Sequence, residues 1–183
     1  MKQDKTFSLV MTGLMMCLVI VATMLIRIPV PATGGYVHLG DTMVFLSVII
    51  LGRRNGTIAA GIGSALADVF ASYVDYAPWT LVVKGLMAFL MGTVLIYMDK
   101  KGTLQEHIGQ GKLSVLQVLA MTAGGAEMVL GYYIAECFRS GSMIVPLAAI
   151  PPNILQFVVG AILATALAAA LYRTPARKYF YFR

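Results

Sequence analysis

The sequence predicts an all-α fold, an integral membrane bundle of six transmembrane helices with the N- and C-termini cytoplasmic. Three observations lead to this fold class. First, 59% of the 183 residues are apolar and only 12% are charged, whereas soluble domains are roughly 45–50% apolar and about 25% charged. Second, the apolar residues fall into segments of the length that spans a bilayer. Third, the basic residues cluster between alternate segments. The composition excludes a water-soluble or disordered chain, and one membrane domain over residues 1–183 is expected.

The basic residues set the predicted orientation. With the N-terminus inside, eleven lysines and arginines lie in inner segments, and only Arg27 and Arg139 lie in outer ones. This bias follows the positive-inside rule. It also excludes nucleic acid as a partner, because the cations are scattered loop anchors rather than one basic face. The inner cations are Lys2, Lys5, Arg53, Arg54, Lys100, Lys101, Lys112, Arg173, Arg177, Lys178 and Arg183. The six predicted spans cover residues 7–28, 41–53, 55–74, 79–98, 114–138 and 146–172.

The first span is predicted to be a retained helix rather than a signal peptide. Thr6 to Ile26 contains 21 uncharged residues, longer than the usual h-region of about 7–15 residues, and no small-x-small cleavage site follows directly. Cys17 and Cys137 lie at different depths, so we expect them not to form a disulfide bond. They show no metal-ligand spacing, and no metal site is expected.

The second span is short, and the loop before it is long. Thr42 to Gly52 offers 11 uncharged residues, about 17 Å of helix against a hydrocarbon core of about 30 Å. The preceding residues, 29–40, read PVPATGGYVHLG and are rich in helix breakers. An irregular connection of this length favours a functional loop over a simple connector.

Ionisable and aromatic residues converge in the outer halves of the predicted spans. An intramembrane ionisable group costs about 2.5–3.5 kcal/mol and therefore needs a partner or a cavity. Asp68 and Lys84 are placed to form an ion pair, and Glu127 lies near mid-depth. Apolar walls with aromatic rings and a few polar groups are typical of a small-molecule pocket. A purely structural ion pair and a packing role for Glu127 are the open alternatives. The other residues at this level are Tyr36, His38, Asp41, Trp79, Tyr132, Tyr133, Asn153 and Gln156.

Other function classes fit the sequence less well. No HExxH, CxxC or phosphate-loop motif occurs, and intramembrane proteolysis by Ser64 is disfavoured because neither His38 nor His107 lies within a predicted helix. A stand-alone channel is also disfavoured, because a channel should show polar residues through the full depth of the bundle. An assembly subunit would explain two rows of small residues that allow close helix packing, but not the polar cluster. These rows are Gly56, Ala60 and Ser64 in the third span, and Gly160, Ala164 and Ala168 in the sixth.

Three sequence runs carry a resemblance to a known family. They are GGYVHLGDTMVFLSVIILGRRNGTIAAGIGSALADVF, YAPWTLVVKGLMAFLMG and IPPNILQFVVGAIL. Together they resemble the S components of energy-coupling factor (ECF) vitamin transporters, over roughly residues 8–172. Within that family the chain is most similar to the branch linked to hydroxymethylpyrimidine, a thiamine precursor, and to pyridoxine. Pantothenate, riboflavin, or a stand-alone facilitator of small solutes are the alternatives.

The resemblance implies a function and a set of partners. Such a subunit captures a vitamin outside the plasma membrane of a prokaryote and is not an enzyme. It associates with a transmembrane coupling (T) component and two ATPases, which bind ATP and magnesium, so no cofactor is expected in this chain. The loop with Gly34, Gly35 and Gly40 would act as a gate, and Gly13 with Cys17 would contact the T component. By position, the resemblance implies substrate contacts at Tyr36, His38, Lys84, Glu127, Tyr132 and Asn153.

Overall fold

The computed structural model describes residues 5–31, 34–99 and 115–180. The described residues form five long helices, one β-hairpin and two short 3-10 turns. The elements are α1 (Lys5–Leu25), β1 (Arg27–Val30), β2 (Gly35–His38), α2 (Gly40–Phe70), α3 (Ala77–Asp99), α4 (Val115–Ser140) and α5 (Ile150–Tyr172), with 3-10 turns at Val145–Ala149 and Pro175–Tyr179. Residues 100–112 of the predicted cytoplasmic loop lie outside the described residues, as do both chain ends.

The number of long helices differs from the prediction. Over the described ranges, five helices are long and apolar enough to cross a membrane, whereas six spans were predicted. The difference arises because the predicted spans 41–53 and 55–74 form the single element α2, which is interrupted at Gly52 (φ 76°, ψ −179°). This backbone conformation is essentially restricted to glycine.

The chain reverses direction at Gly52. A Cβ added to Gly56 would lie 2.7 Å from Val48 Cα, whereas eight residues of straight helix would separate the two positions by about 12 Å. Residues 40–51 and 53–70 therefore pack side by side. Both ends of α2 consequently lie near the β-hairpin, at what we call the hairpin end of the bundle, and Gly52 lies at the opposite end.

Helix α2 forms the centre of the bundle. It packs against α1, α3 and α5, and α3 packs against α4. Phe45, Ile49 and Met87 are fully buried in the core between these helices. Leu9 on α1 and Ile162 on α5 are more than 60% exposed, as expected for helix surfaces that face lipid rather than water.

Small residues allow the helices to approach closely, as predicted. A Cβ on Gly160 would lie 2.8 Å from Asp41 Cβ, and a Cβ on Gly124 would lie 2.8 Å from the Met87 carbonyl oxygen. Any larger side chain at either glycine would force two helices apart. All six residues of the two predicted rows are buried.

The connection between α1 and α2 is a hairpin and not the irregular loop that we predicted. Strands β1 and β2 pair antiparallel, with Arg27 opposite His38 and Val30 opposite Gly35. Branched and aromatic side chains in RIPV and GYVH favour extended backbone. A hydrogen bond of 3.1 Å from the Gly34 N–H to the Val30 carbonyl closes the turn.

Candidate functional site

A polar cavity lies at the hairpin end of the bundle. Its walls are the hairpin, the end of α2, the start of α3, the end of α4 and the start of α5. The cavity is small. Its volume is about 40 Å³, and one water molecule needs about 10–15 Å³ on the same measure, so it has room for a few waters. The lining residues are Val30, Gly35, Tyr36, His38, Asp68, Tyr76, Thr80, Tyr132, Glu136, Ala149, Asn153 and Gln156.

Tyr36 connects the hairpin to the end of α2. Its hydroxyl donates a 2.7 Å hydrogen bond to Asp68 Oδ1, and its ring centroid lies 4.7 Å from that of Tyr73. Burial, followed by the hydrogen bond to the Asp68 carboxylate, raises the pKa of Tyr36 well above its usual value. Tyr36 is therefore a neutral hydrogen-bond donor that holds the hairpin against α2.

His38 connects the hairpin to α5. Its backbone N–H donates to Gln156 Oε1 at 2.9 Å, and its Nδ1 accepts from the Gly40 N–H at 2.9 Å. The acceptor role of Nδ1 places the ring proton of the neutral imidazole on Nε2. Burial, with a smaller contribution from the positive charge of Lys84, lowers the pKa of His38 to about 4. The histidine is therefore neutral near pH 7.

An ion pair lies deeper in the bundle, next to the cavity. Lys84 Nζ pairs with Asp41 Oδ1, and both side chains are fully buried. Gln156 Nε2 donates to Asp41 Oδ2 at 2.9 Å, and Lys84 Nζ lies 5.3 Å from the Tyr132 ring centroid. Cation–π contact and hydrogen bonds of this kind offset part of the cost of burying two charges.

The partner of Lys84 corrects our prediction. We predicted a pair between Lys84 and Asp68, but Lys84 binds Asp41, and Asp68 accepts from Tyr36 instead. The reversal at Gly52 brings both aspartates to the hairpin end, because one lies at the start of α2 and the other near its end. Which aspartate meets Lys84 is then decided by the packing of α2 and not by depth in the bundle.

A second polar cluster forms the opposite rim of the cavity. The Tyr76 hydroxyl donates to Glu136 Oε1 at 2.5 Å, and the Arg139 guanidinium lies 3.6 Å from the Tyr76 ring centroid. Arg139 also pairs with Glu136 and with Asp75. These contacts join the α2–α3 connection to the end of α4.

The comparisons with known proteins identify the family. The family model for the S component of the ECF-type riboflavin transporter matches residues 3–173. The chain belongs to the ECF S-component family. This confirms the resemblance identified from the sequence. The family consists of membrane transporter components for vitamins and not of enzymes.

Two relatives are similar to this chain over most of its length. The thiamine precursor transporter HmpT of Lactococcus lactis subsp. cremoris is 26% identical over 151 residues, 82% of this chain and 78% of HmpT. An uncharacterized protein of Pyrococcus woesei is 41% identical over 114 residues, 62% of this chain and 68% of that protein.

A solved structure confirms the S-component fold. The crystal structure of the S component for biotin from an ECF-type ABC transporter superimposes with a TM-score of 0.75 at 19% identity. The match covers 100% of this chain and 99% of that one. At this identity the likeness concerns the fold alone.

Four of the six predicted substrate contacts of this S component line the same cavity. Tyr36 and His38 come from the hairpin, Tyr132 from α4 and Asn153 from α5. Tyr132 is oriented by a 3.1 Å hydrogen bond from its hydroxyl to Thr80 Oγ1. The Asn153 side chain is half-buried and makes no hydrogen bond to any residue that the structure describes.

The other two predicted contacts do not line the cavity. Lys84 lies behind the cavity wall, on the face of the Tyr132 ring. Glu127 lies one turn before Gly131 on α4, where its Oε1 is 3.4 Å from the position of a Cβ on that glycine. Its Oε2 is buried without a hydrogen-bond partner in the described parts of the chain.

The predicted gate and docking residues occupy different surfaces. Gly34 lies in the hairpin turn with a positive φ of 70°, and Gly35 lines the cavity. Gly40 is packed so tightly that a Cβ there would lie 2.1 Å from Thr23 Oγ1. Gly13 and Cys17 are exposed on α1, and a Cβ on Gly13 would contact no described residue within 4 Å. Cys17 and Cys137 are free thiols.

Sequence reasoning did not assign a site role to several residues of the network. Gln156 lies three residues after Asn153, a spacing that places both side chains on one face of a helix, and this signal was present in the sequence. Asp41 was placed at the level of the predicted pocket without a specific role, and Glu136 was not among the candidate residues. The bonds from Tyr76 and Arg139 to Glu136 join elements far apart in sequence, so no local pattern indicates them.

Proposed function

We propose that this chain is the substrate-capture subunit of an ECF importer for a water-soluble vitamin precursor with one polar ring, hydroxymethylpyrimidine or pyridoxine. The observation that carries the proposal is the cavity itself, where tyrosine rings, the Asn153 amide and the Asp68 carboxylate meet. Aromatic rings with a few hydrogen-bonding groups are typical of a pocket that binds a small polar molecule. The similarity to a thiamine precursor transporter points the same way.

In this proposal the hairpin is the gate of the cavity. The hairpin end faces the outside and both termini face the cytoplasm, with residues 40–51 and 53–70 of α2 as two of six spans. The substrate ring stacks on Tyr36 and Tyr132, and Asn153 orients its hydroxyl group or ring nitrogen. Closing the hairpin excludes water, which strengthens each hydrogen bond to the substrate.

The proposed partners are a T component and two ATPases in the plasma membrane of a prokaryote. ATP and magnesium bind the ATPases, and this chain requires no cofactor of its own. Import requires that the ATPase-bound state hold the substrate less tightly than the free subunit does, because only differential affinity shifts the equilibrium.

The capture function is tested by thermal unfolding of the purified chain in detergent with a panel of vitamins. The panel contains hydroxymethylpyrimidine, pyridoxine, pantothenate, thiamine, riboflavin, biotin and folate. A ligand at a hundred times its dissociation constant should stabilise the fold by about 2.7 kcal/mol. We expect the shift with hydroxymethylpyrimidine or pyridoxine. A folded sample that none of the seven stabilises would contradict the proposal.

Asn153 is expected to contribute directly to affinity. Replacing Asn153 with alanine should weaken substrate binding by roughly 5- to 30-fold, the value of one or two neutral hydrogen bonds, without loss of membrane insertion. Titration calorimetry with the vitamin identified above measures the effect. Asn55→Ala is the control, because Asn55 donates to Ser8 near Gly52, far from the cavity. Equal affinity in Asn153→Ala and in the unmodified chain would remove Asn153 from the site.

The exposed small residues of α1 are expected to contact the T component. Replacing Gly13 and Cys17 together with leucine should leave vitamin binding intact and prevent copurification with the T component and ATPases. The matched control is leucine at Ala166 and Ala170, which are exposed on α5 with the same four-residue spacing. If the α1 variant assembles as well as the α5 variant, α1 is not the docking surface.

A further inference from the structure

One oxygen of the Asp68 carboxyl group has no hydrogen-bond partner among the described residues. Asp68 is 4% exposed, lies near the end of α2 and lines the cavity. Its Oδ1 accepts from the Tyr36 hydroxyl, and its Oδ2 is buried without a hydrogen bond to any described residue. A buried acceptor without a donor is destabilising, and more so when it is charged. The fold therefore carries a cost at a position that faces the cavity.

The neighbouring donors are already committed elsewhere. Lys84 binds Asp41, and Arg139 binds Asp75 and Glu136. Arg27 lies over the Tyr36 ring, 5.9 Å from its centroid. The Thr80 side chain also interacts with the Asp68 carboxyl group, and Oδ2 still has no hydrogen bond to a described residue. None of the described residues donates to Oδ2, which leaves this oxygen available to a donor on a molecule in the cavity.

We propose that Asp68 is a specificity-determining residue that selects a substrate with an amino group on its ring, an aminopyrimidine. The inference rests on the proposed function and favours hydroxymethylpyrimidine over pyridoxine. An amino N–H of the ring donates to Asp68 Oδ2. Hydroxymethylpyrimidine carries such an amino group. Pyridoxine, whose donors are hydroxyl groups instead, is the competing ligand in the test.

Asn153 complements this assignment from another wall of the cavity. Its amide has both a donor and an acceptor and is unpaired with the described residues, so it matches a ring nitrogen or the hydroxymethyl group. The ionised Asp68 carboxylate only accepts hydrogen bonds, so it matches the amino group. Because Tyr36 binds the other oxygen of the same carboxylate, the substrate and the hairpin share one anchor. Substrate capture and hairpin position are thus coupled through Asp68.

The test pairs a protein variant with a ligand variant. Affinities of the unmodified chain and of Asp68→Asn are measured by calorimetry with hydroxymethylpyrimidine and with its analogue that lacks the amino group. In the unmodified chain we expect the analogue to bind roughly 10- to 100-fold more weakly, as for a lost hydrogen bond to a charged group. Asp68→Asn should bind both ligands with nearly equal, weak affinity. Asp75→Asn is the control, because it removes the same charge from an exposed rim position.

Each outcome bears on the proposal. If Asp68→Asn distinguishes the two ligands as strongly as the unmodified chain does, the amino group is not read by Asp68. Should that variant fail to fold, the unmodified chain decides, since equal binding of the two ligands, or tighter binding of pyridoxine, overturns the inference and leaves the capture function intact. Tyr36→Phe removes only the hydrogen bond to Oδ1, and we expect this variant still to bind hydroxymethylpyrimidine more tightly than the analogue without the amino group. A chain that binds no vitamin of the panel fails at the capture function.

Discussion

Two ion pairs at the same end of the bundle stand in opposite environments. Lys84 and Asp41 are both 0% exposed, whereas Arg139 and Asp75 are 24% and 64% exposed. The buried pair lies between α2 and α3, and the exposed pair joins the α2–α3 connection to the end of α4. Both pairs lie beside the cavity, but they differ in which other contacts of the protein depend on them.

The buried pair is part of a network that reaches the hairpin. Asp41 accepts from Gln156, and Gln156 accepts from the His38 backbone. Burial of two charges is tolerated only when each finds further partners, so the network cannot lose one member without leaving another unpaired. The exposed pair is screened by solvent, and pairs of this kind contribute about 0–1 kcal/mol. We therefore expect the position of the hairpin to depend on Lys84 and much less on Asp75.

The largest expected effect follows from breaking the buried pair. Lys84→Met should lower the free energy of unfolding by about 3–5 kcal/mol, because Asp41 is left buried and uncompensated. Denaturant unfolding in detergent, followed by circular dichroism, measures the change. The double variant Lys84→Met with Asp41→Asn should recover much of the loss, since Gln156 can still donate to the amide oxygen. A single variant as stable as the unmodified chain would show that the pair does not hold the fold.

The second prediction concerns the pH dependence of the same network. The pKa of His38 lies at about 4 in the folded chain, below the ordinary value of 6.5. As the pH falls below 6.5 the unfolded chain takes up a proton that the folded chain refuses until about pH 4. Stability should therefore fall between pH 6.5 and 4, by about 1.4 kcal/mol per unit at most, and this contribution should be constant above pH 6.5.

A variant without a titrating ring isolates this effect. His38→Asn retains an acceptor near the position of Nδ1 for the Gly40 N–H, so its unfolding free energy should depend less on pH in this window. Lys84 and Asp41 are the charged groups that act on His38, and neither is altered in the variant. An equal pH slope in both proteins would assign the acid sensitivity to other groups.

The fold was predictable from the sequence where helices are long and apolar. The predicted spans 79–98, 114–138 and 146–172 lie within or close to α3, α4 and α5, because twenty apolar residues in a bilayer have few alternatives to a helix. The hairpin was missed because Pro29 and the glycines around it indicated a loop. In the structure two of these glycines, at positions 34 and 35, form the turn and the start of β2.

The sequence predicts how deep the site residues lie in the bundle, but it does not predict which way their side chains point. Counting residues along a helix places Asp41, Asp68 and Lys84 at one level. The direction of each side chain around its helix axis depends on packing between helices, which the sequence does not state locally. For this reason the polar cluster was predicted, but the predicted partner of Lys84 was wrong. The role of Gln156 as a bridge between His38 and Asp41 was not predicted.

The smallest expected effect tests the exposed side of the comparison. Asp75→Asn should lower the unfolding free energy by less than about 1 kcal/mol at low salt. This difference should shrink above an ionic strength of about 0.1 M, where the Debye length falls below about 10 Å. Lys84→Met, by contrast, should be nearly insensitive to salt because its pair is screened from solvent. Unfolding curves at low and high sodium chloride measure both. If Asp75→Asn costs as much as Lys84→Met, the rim contacts of Arg139 determine the shape of the cavity as strongly as the buried network does, and burial alone does not separate the two pairs.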